Sequence, residues 1–157
     1  WYNIIIKNMK RILKTDSAIL LLRLALGWLF LYAGLTKIVN PEWSAVGFLN
    51  SAKTFSGFYS WLASPNILPV VDFLNEWGLT LIGIALILGV IVRLSAYFGA
   101  LMMLLYYFPG LTFPYAGEHS LIVDEHIVYI VAFLVLGSLS SNHIWSLSGL
   151  FKSRMKK

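Results

Sequence analysis

Cysteine is absent from the 157 residues of this chain. That excludes disulfide staples, thiolate metal sites and any Cys-x-x-Cys electron relay. Charge is scarce as well. Asp, Glu, Lys and Arg make up 12% of the chain, while hydrophobic residues make up 59%, a balance that marks a membrane protein rather than a soluble core. Acidic residues are the rarer sign, and the net charge is +5. The surplus does not read as nucleic-acid binding, because Lys and Arg gather at the two termini beside apolar runs, where membrane proteins place their cytoplasmic flanks. No Gly-rich phosphate loop is present. The three histidines lie in a loop (His119), near one end of a span (His126) and near the opposite end (His143), so none faces another at one depth to hold a haem. Asp124, Glu125 and His126 are consecutive and cannot all reach one metal ion from a regular helix. No haem or metal is expected.

What the chain has in quantity is apolar sequence of spanning length. The stretch SAILLLRLALGWLFLYAGLTKIV, residues 17–39, is long enough to cross a bilayer, yet it carries Arg23 and Lys37. Arg23, Gly27, Phe30, Gly34 and Lys37 are spaced by four, three, four and three, which puts all five on one helical face. Small residues on such a face let another helix approach, and its ionisable residues avoid lipid. Three more spans follow, at about 70–92, 94–108 and 121–139, the one at 94–108 broken by Pro109-Gly110. Glycines 27, 34, 78, 83 and 89 lie within spans, where close helix packing is the default reading. The expected architecture is all-α: one domain over residues 1–157, a polytopic bundle of four transmembrane helices. The connection from Pro41 to Pro69, with Trp43, Phe48, Phe55, Phe58, Tyr59 and Trp61 among small polar residues, reads as one or two short amphipathic helices on the bilayer surface or capping the bundle. Trp1 is an unusual start, so the true N-terminus is expected to lie upstream. No cleavable signal peptide is read in the first apolar run.

Four spans put both termini on one side. With that assignment, all Lys and Arg residues except Lys37 and Lys53 lie on the terminal side, which the positive-inside rule makes cytoplasmic. All acids except Asp16 lie opposite. Lys37, Glu76, Asp124, Glu125 and His126 then share the outer leaflet, with Arg23 and Arg93 at the inner end as anchors. Charge near lipid favours pairing, so Lys37 is expected to meet Glu76 or a fourth-helix acid, with His126 close by. Asp124 and Glu125 point about 100° apart, so one of them at most faces that cluster. Two readings of the cluster stay open. It is a structural ion-pair network, or it is a proton-handling pocket for a quinone, whose two electrons travel with two protons. In the second reading Glu76, His126 and Lys37 act on protons. Tyr32, Trp77, Tyr106, Tyr107 and Tyr129 offer aromatic walls and hydroxyl donors.

These residues resemble the DoxX/DoxD-like family. The first span, Arg23-x3-Gly27-x2-Phe30-x3-Gly34-x2-Lys37, is similar to the family's opening signature. Glu76-x-Gly78 followed by Gly83, Gly89 and Arg93 resembles its second helix, and Asp124-x-His126 resembles the start of the fourth helix in the DoxD-like branch. The resemblance runs from about Leu22 to Leu150. It departs from many relatives at Ser146-Leu147-Ser148, which lacks their acidic residue. It implies a small four-helix protein of a bacterial or archaeal cytoplasmic membrane, with relatives that include the large subunit of thiosulfate:quinone oxidoreductase. The positions it marks are Arg23, Lys37, Glu76, Arg93 and His126. The expectation is an integral membrane subunit of a redox system with quinone as cofactor. Glu76, His126 and Lys37 are its candidate catalytic residues, and Arg23, Trp77 and Tyr129 its cofactor-binding ones. The expected partners are the lipid bilayer and either other membrane or redox subunits or further copies of the chain. The alternatives are a non-catalytic accessory subunit of a larger respiratory or other complex, and a small proton-coupled carrier.

Because the chain has no cysteine, its orientation is open to single-site labelling. A Lys53→Cys variant should react with a membrane-impermeant maleimide in intact cells. A Lys152→Cys variant should react only after the cells are opened. The reverse pattern would invert the assignment.

Overall fold

The computed structural model describes residues 15–117 and 119–139. The basic N-terminal arm, Glu118 and the tail from residue 140, including Ser146-Leu147-Ser148 and His143, lie outside the described residues. In chain order the elements are α1 (Thr15–Ile38), α2 (Val46–Asn50), α3 (Ser56–Leu62), α4 (Leu68–Leu88), α5 (Val92–Gly110), β1 (Tyr115–Gly117), β2 (Ser120–Leu121) and α6 (Glu125–Ser138). Two of the helices, Ser17–Ile38 and Leu68–Leu88, are long and apolar enough to cross a membrane, and only 28% of the most apolar window of each is buried. A soluble core helix of that hydropathy hides most of its surface. Here Trp28, Leu81, Phe98 and Val128 are among many large apolar side chains turned outward, the arrangement expected where the surroundings are lipid.

The inward face of α1 is the one its spacing predicts. Arg23 and Phe30 are each 1% exposed, Gly27 and Gly34 are buried, and Lys37 is half-buried. The two glycines are there for contact with α4. A Cβ on Gly34 would stand 2.6 Å from the Thr80 amide nitrogen, and one on Gly83 would stand 2.7 Å from Leu31 Cα. Backbone therefore lies against backbone at both positions. The second pair of helices, α5 and α6, meets differently, with Gly99 under the ring of Phe133 and Gly137 under the ring of Tyr97. Phe30 and Phe133 join the two pairs, edge to face at 4.8 Å, in a core that also takes in Leu79, Leu86, Val92 and Leu136.

Several boundaries differ from the sequence reading, each for a physical reason. The second span stops at Leu88, because Gly89 takes a left-handed conformation (φ 69°) and caps the helix. α5 does not break at Pro109 but runs through to Gly110. Proline cannot donate to the carbonyl of Leu105. The Tyr59 hydroxyl donates to that carbonyl instead, at 2.8 Å. The fourth helix begins at Glu125 rather than near Leu121, because Tyr115–Gly117 and Ser120–Leu121 pair as two short antiparallel strands, with Tyr115 opposite Leu121. This strand pair is the departure from an all-α chain.

The aromatic connection is two short helices, α2 and α3, that close one end of the bundle. Ala45, Leu49, Ala52 and Tyr59 form a second core with Trp43, Leu62, Val71 and Phe108 packed against it. Besides the Tyr59 bond, three more fasten this cap: the Ala45 amide donates to Asp72 Oδ1 at 2.8 Å, the Lys53 amide to the Pro109 carbonyl at 3.1 Å, and the Thr54 hydroxyl to the Leu111 carbonyl at 2.6 Å.

Gly34→Ala and Gly83→Ala should each destabilise the protein by about 1–3 kcal/mol, since neither backbone neighbour can yield like a flexible side chain. Gly47→Ala, whose Cβ meets open space, should leave the unfolding temperature in detergent unchanged. Tyr59→Phe should cost about 0.5–1.5 kcal/mol by removing the donor to a part-buried carbonyl. Equal unfolding temperatures for Tyr59→Phe and wild type would remove that bond from the account.

Candidate functional site

At the capped end, four elements bring polar side chains to one cavity of about 250 Å³. Lys37 reaches it from the last turn of α1, and Trp43 and Ser44 from the start of the connection. Asn75 comes from α4, Tyr106 from α5 and His126 from the first turn of α6. The Lys37 ammonium donates to the Ala33 carbonyl one turn back, at 3.2 Å, and lies 5.1 Å from the centre of the Trp43 ring. That cation–π contact holds the charge at the cavity wall. The expected pair with Glu76 is not formed. Among the described residues the close contact of this kind is between His126 and Asp124.

Asp124 does two jobs with its two oxygens. Oδ1 accepts from the amides of His126 and Ile127, at 3.0 and 3.2 Å, and so caps α6. Oδ2 meets His126 Nδ1 at 2.7 Å. With Nδ1 held by a carboxylate, Nε2 is the ring nitrogen left for chemistry in the cavity. Tyr106 stands edge to face with the imidazole at 6.4 Å, and its hydroxyl donates to Asn75 Oδ1. Asn75 Nδ2 donates to the Val71 carbonyl at 2.9 Å, so the amide is fixed from both ends. The cavity thus offers a cation, an imidazole oriented by a carboxylate, a tyrosine hydroxyl and aromatic walls. This is a set suited to a flat headgroup bearing oxygen atoms that takes up or gives up protons.

Next to this cavity lies a larger one of about 580 Å³ between α4 and α5. Its walls include two facing stripes, Val71, Gly78 and Ala85 from α4 and Phe98, Met102 and Leu105 from α5, with Leu49, Phe58 and Leu62 of the cap closing one end. Ala45, Phe48, Asn75 and Tyr106 line both cavities.

Of the residues singled out from sequence, Lys37 and His126 line the polar cavity. Glu76 does not line it. Its backbone faces Gly34, and its side chain, half-buried, forms no ion pair among the described residues. Arg23 is buried some fourteen residues before Lys37 on α1, about 21 Å away along the axis. The spacing along α1 put it on the inward face and its depth made it an inner-end anchor; it lies inward, in the bundle interior, and does not line the polar cavity. Arg93, at the start of α5, is exposed. Trp77 is 44% exposed and tilted against Phe73 on the outer face. Tyr129 packs against the main core. Tyr32 is exposed beside Trp28, and Tyr107 donates to the Ile122 carbonyl. Glu125 is exposed, so Asp124 is the acid of that pair that turns to the histidine. Asn75 was missed. Its signal was an amide on the stripe Val71, Asn75, Gly78, Ile82 and Ala85, at spacings of four, three, four and three, where a polar group in an apolar span marks a site.

No curated protein and no solved structure matches the chain. The family comparison matches DoxX over residues 18–111, a region that holds α1 to α5 and every cavity residue named above except His126. With that match over more than half its length, and with its outward apolar helices, the chain belongs to the DoxX family of membrane proteins.

Proposed function

We propose that this protein is a quinone-interacting subunit of a membrane redox system. In this reading α1, α4, α5 and α6 all cross a bacterial or archaeal cytoplasmic membrane, with both termini cytoplasmic and the polar cavity at the outer side. The observation that carries it is the convergence of Lys37, Asn75, Tyr106 and His126 on one cavity, with His126 already oriented by Asp124. A quinone ring is flat and presents two carbonyl oxygens. Trp43, Phe48 and Tyr106 provide aromatic walls for such a ring. Lys37 supplies a charge-assisted donor to one carbonyl, which becomes more basic as electrons arrive. His126 exchanges a proton at Nε2, and Asp124 stabilises the imidazolium when it forms. Glu76 has no contact with the headgroup in this arrangement.

The chain's own contribution is binding and proton handling. Electrons come from a partner redox subunit, for which the outward aromatic and aliphatic side chains of the helices offer contact surface within the bilayer. The accessory-subunit reading shares that surface but leaves the convergence of polar groups without a use.

The test is mass spectrometry of solvent extracts from the protein purified in mild detergent, with His126→Gln, Lys37→Met and Glu76→Gln alongside. Quinone in stoichiometric amount is expected in the wild type. Lys37→Met should weaken quinone binding by roughly ten- to a hundredfold, the value of one hydrogen bond to a charged group, about 1.5–3 kcal/mol. Asp124→Asn should keep quinone bound but slow proton-coupled turnover by about a hundredfold or more, because it disturbs the histidine's tautomer. Quinone at the level of background lipid in the wild type would leave the accessory reading as the better one. Loss in Glu76→Gln with retention in His126→Gln would move the site to the α1-facing side of α4.

A further inference from the structure

The 580 Å³ cleft is lined almost wholly by apolar side chains and is more than twice the volume of the polar cavity beside it. We propose that it holds the single long isoprenoid tail of the molecule whose headgroup sits in the polar cavity, so that the two cavities are one bent site. This rests on the quinone reading and adds where the rest of the molecule lies.

Three observations carry it. The cavities share four lining residues, and at their junction Phe48 and Tyr106 stand edge to face at 5.9 Å, so a head held by Tyr106 and Asn75 leads directly into the cleft. The cleft then follows α4 from Asn75 to Ala85 and α5 from Tyr106 back to Leu94, about 15–18 Å of helix. That is roughly one leaflet of a hydrocarbon core about 30 Å thick. Finally, the cleft is one furrow between α4 and α5, closed at its polar end by Phe48, Phe58 and Leu62 of the cap, and the polar cavity is aromatic-walled with one lysine. One chain and a flat ring suit it, whereas a phospholipid brings two chains and a phosphate. Bilayer tails are as apolar as the cleft, so burial there adds little affinity. The cleft acts on position instead: it sets which way the ring faces and how deep it sits.

The experiment is therefore one of position. The protein in nanodiscs is given a polyprenyl-quinone carrying a photoreactive diazirine at the tail end, and the labelled residues are mapped by mass spectrometry. A second probe has the same tail on a plain alcohol head. Expected is label from the quinone probe at Leu94 and Phe98, displaced by excess unlabelled quinone. Gly78→Leu, which puts bulk between the stripes, should lose most of that label, and so should Ala85→Phe. Gly78→Ala should keep it, since its Cβ meets Met102 Sδ at an ordinary 3.6 Å. Unfolding temperatures of the variants separate a blocked cleft from a damaged fold. Label spread over outward residues such as Leu21, Trp28 and Val128, or unchanged in both filled variants, would overturn the proposal. So would cross-linked dimers with the cleft unlabelled, which would make it an interface between copies. If the alcohol probe labels Leu94 and Phe98 but excess quinone does not compete, the headgroup reading fails, and with it the claim that the tail belongs to a quinone.

Discussion

The contact of α1 with α4, backbone against backbone at Gly34 and Gly83, determines where most of the other parts stand. Gly34 lies against Thr80 and the Glu76 carbonyl, so the residues one turn on from Gly34 and one position before Glu76 reach the same depth. Those residues are Lys37 and Asn75, two walls of the polar cavity. The same contact commits one face of α4 to α1. The stripe from Val71 to Ala85 is thereby turned toward α5. Larger residues at positions 34 and 83 would slide the helices, and the cavity would lose its register before it lost any of its side chains.

A bundle in lipid must also satisfy its irregular backbone from within. Pro109 shows how this chain does so. The carbonyl that the proline leaves open is taken by a hydroxyl from the cap, and the proline's own carbonyl takes an amide from the same segment. Burial raises the pKa of the Tyr59 phenol. The cap is thus attached at the point where α5 is irregular, and the attachment holds Phe48 beside Tyr106 at the junction of the two cavities.

Much of this was legible in the sequence, and the limits of legibility follow from what determines each feature. The inward face of α1 was legible because spacing alone defines a helical face, and Arg23, Gly27, Phe30 and Gly34 all lie inward as predicted. The two short helices of the aromatic connection were legible from composition. The choice between Glu76 and Asn75 was not. The two are adjacent in sequence and point about 100° apart, and which of them faces the cavity depends on the register of α4 against α1. Reading charge as the stronger signal favoured the wrong neighbour for lining the cavity. Pro109 misled for a related reason: the local rule for proline assumes that its orphaned carbonyl finds no partner, and here a residue fifty positions earlier supplies one.

The carboxylate of Asp124 starts a helix with one oxygen and orients an imidazole with the other. Structure and reactivity at this corner are therefore inseparable under mutation. A substitution that spares the helix start but not the second oxygen leaves the ring free to turn or change tautomer. One that removes both leaves the histidine on a frayed end. The oxygen that orients this histidine belongs to a helix cap, so an engineer who wished to retune the ring would have to begin by redesigning how α6 begins.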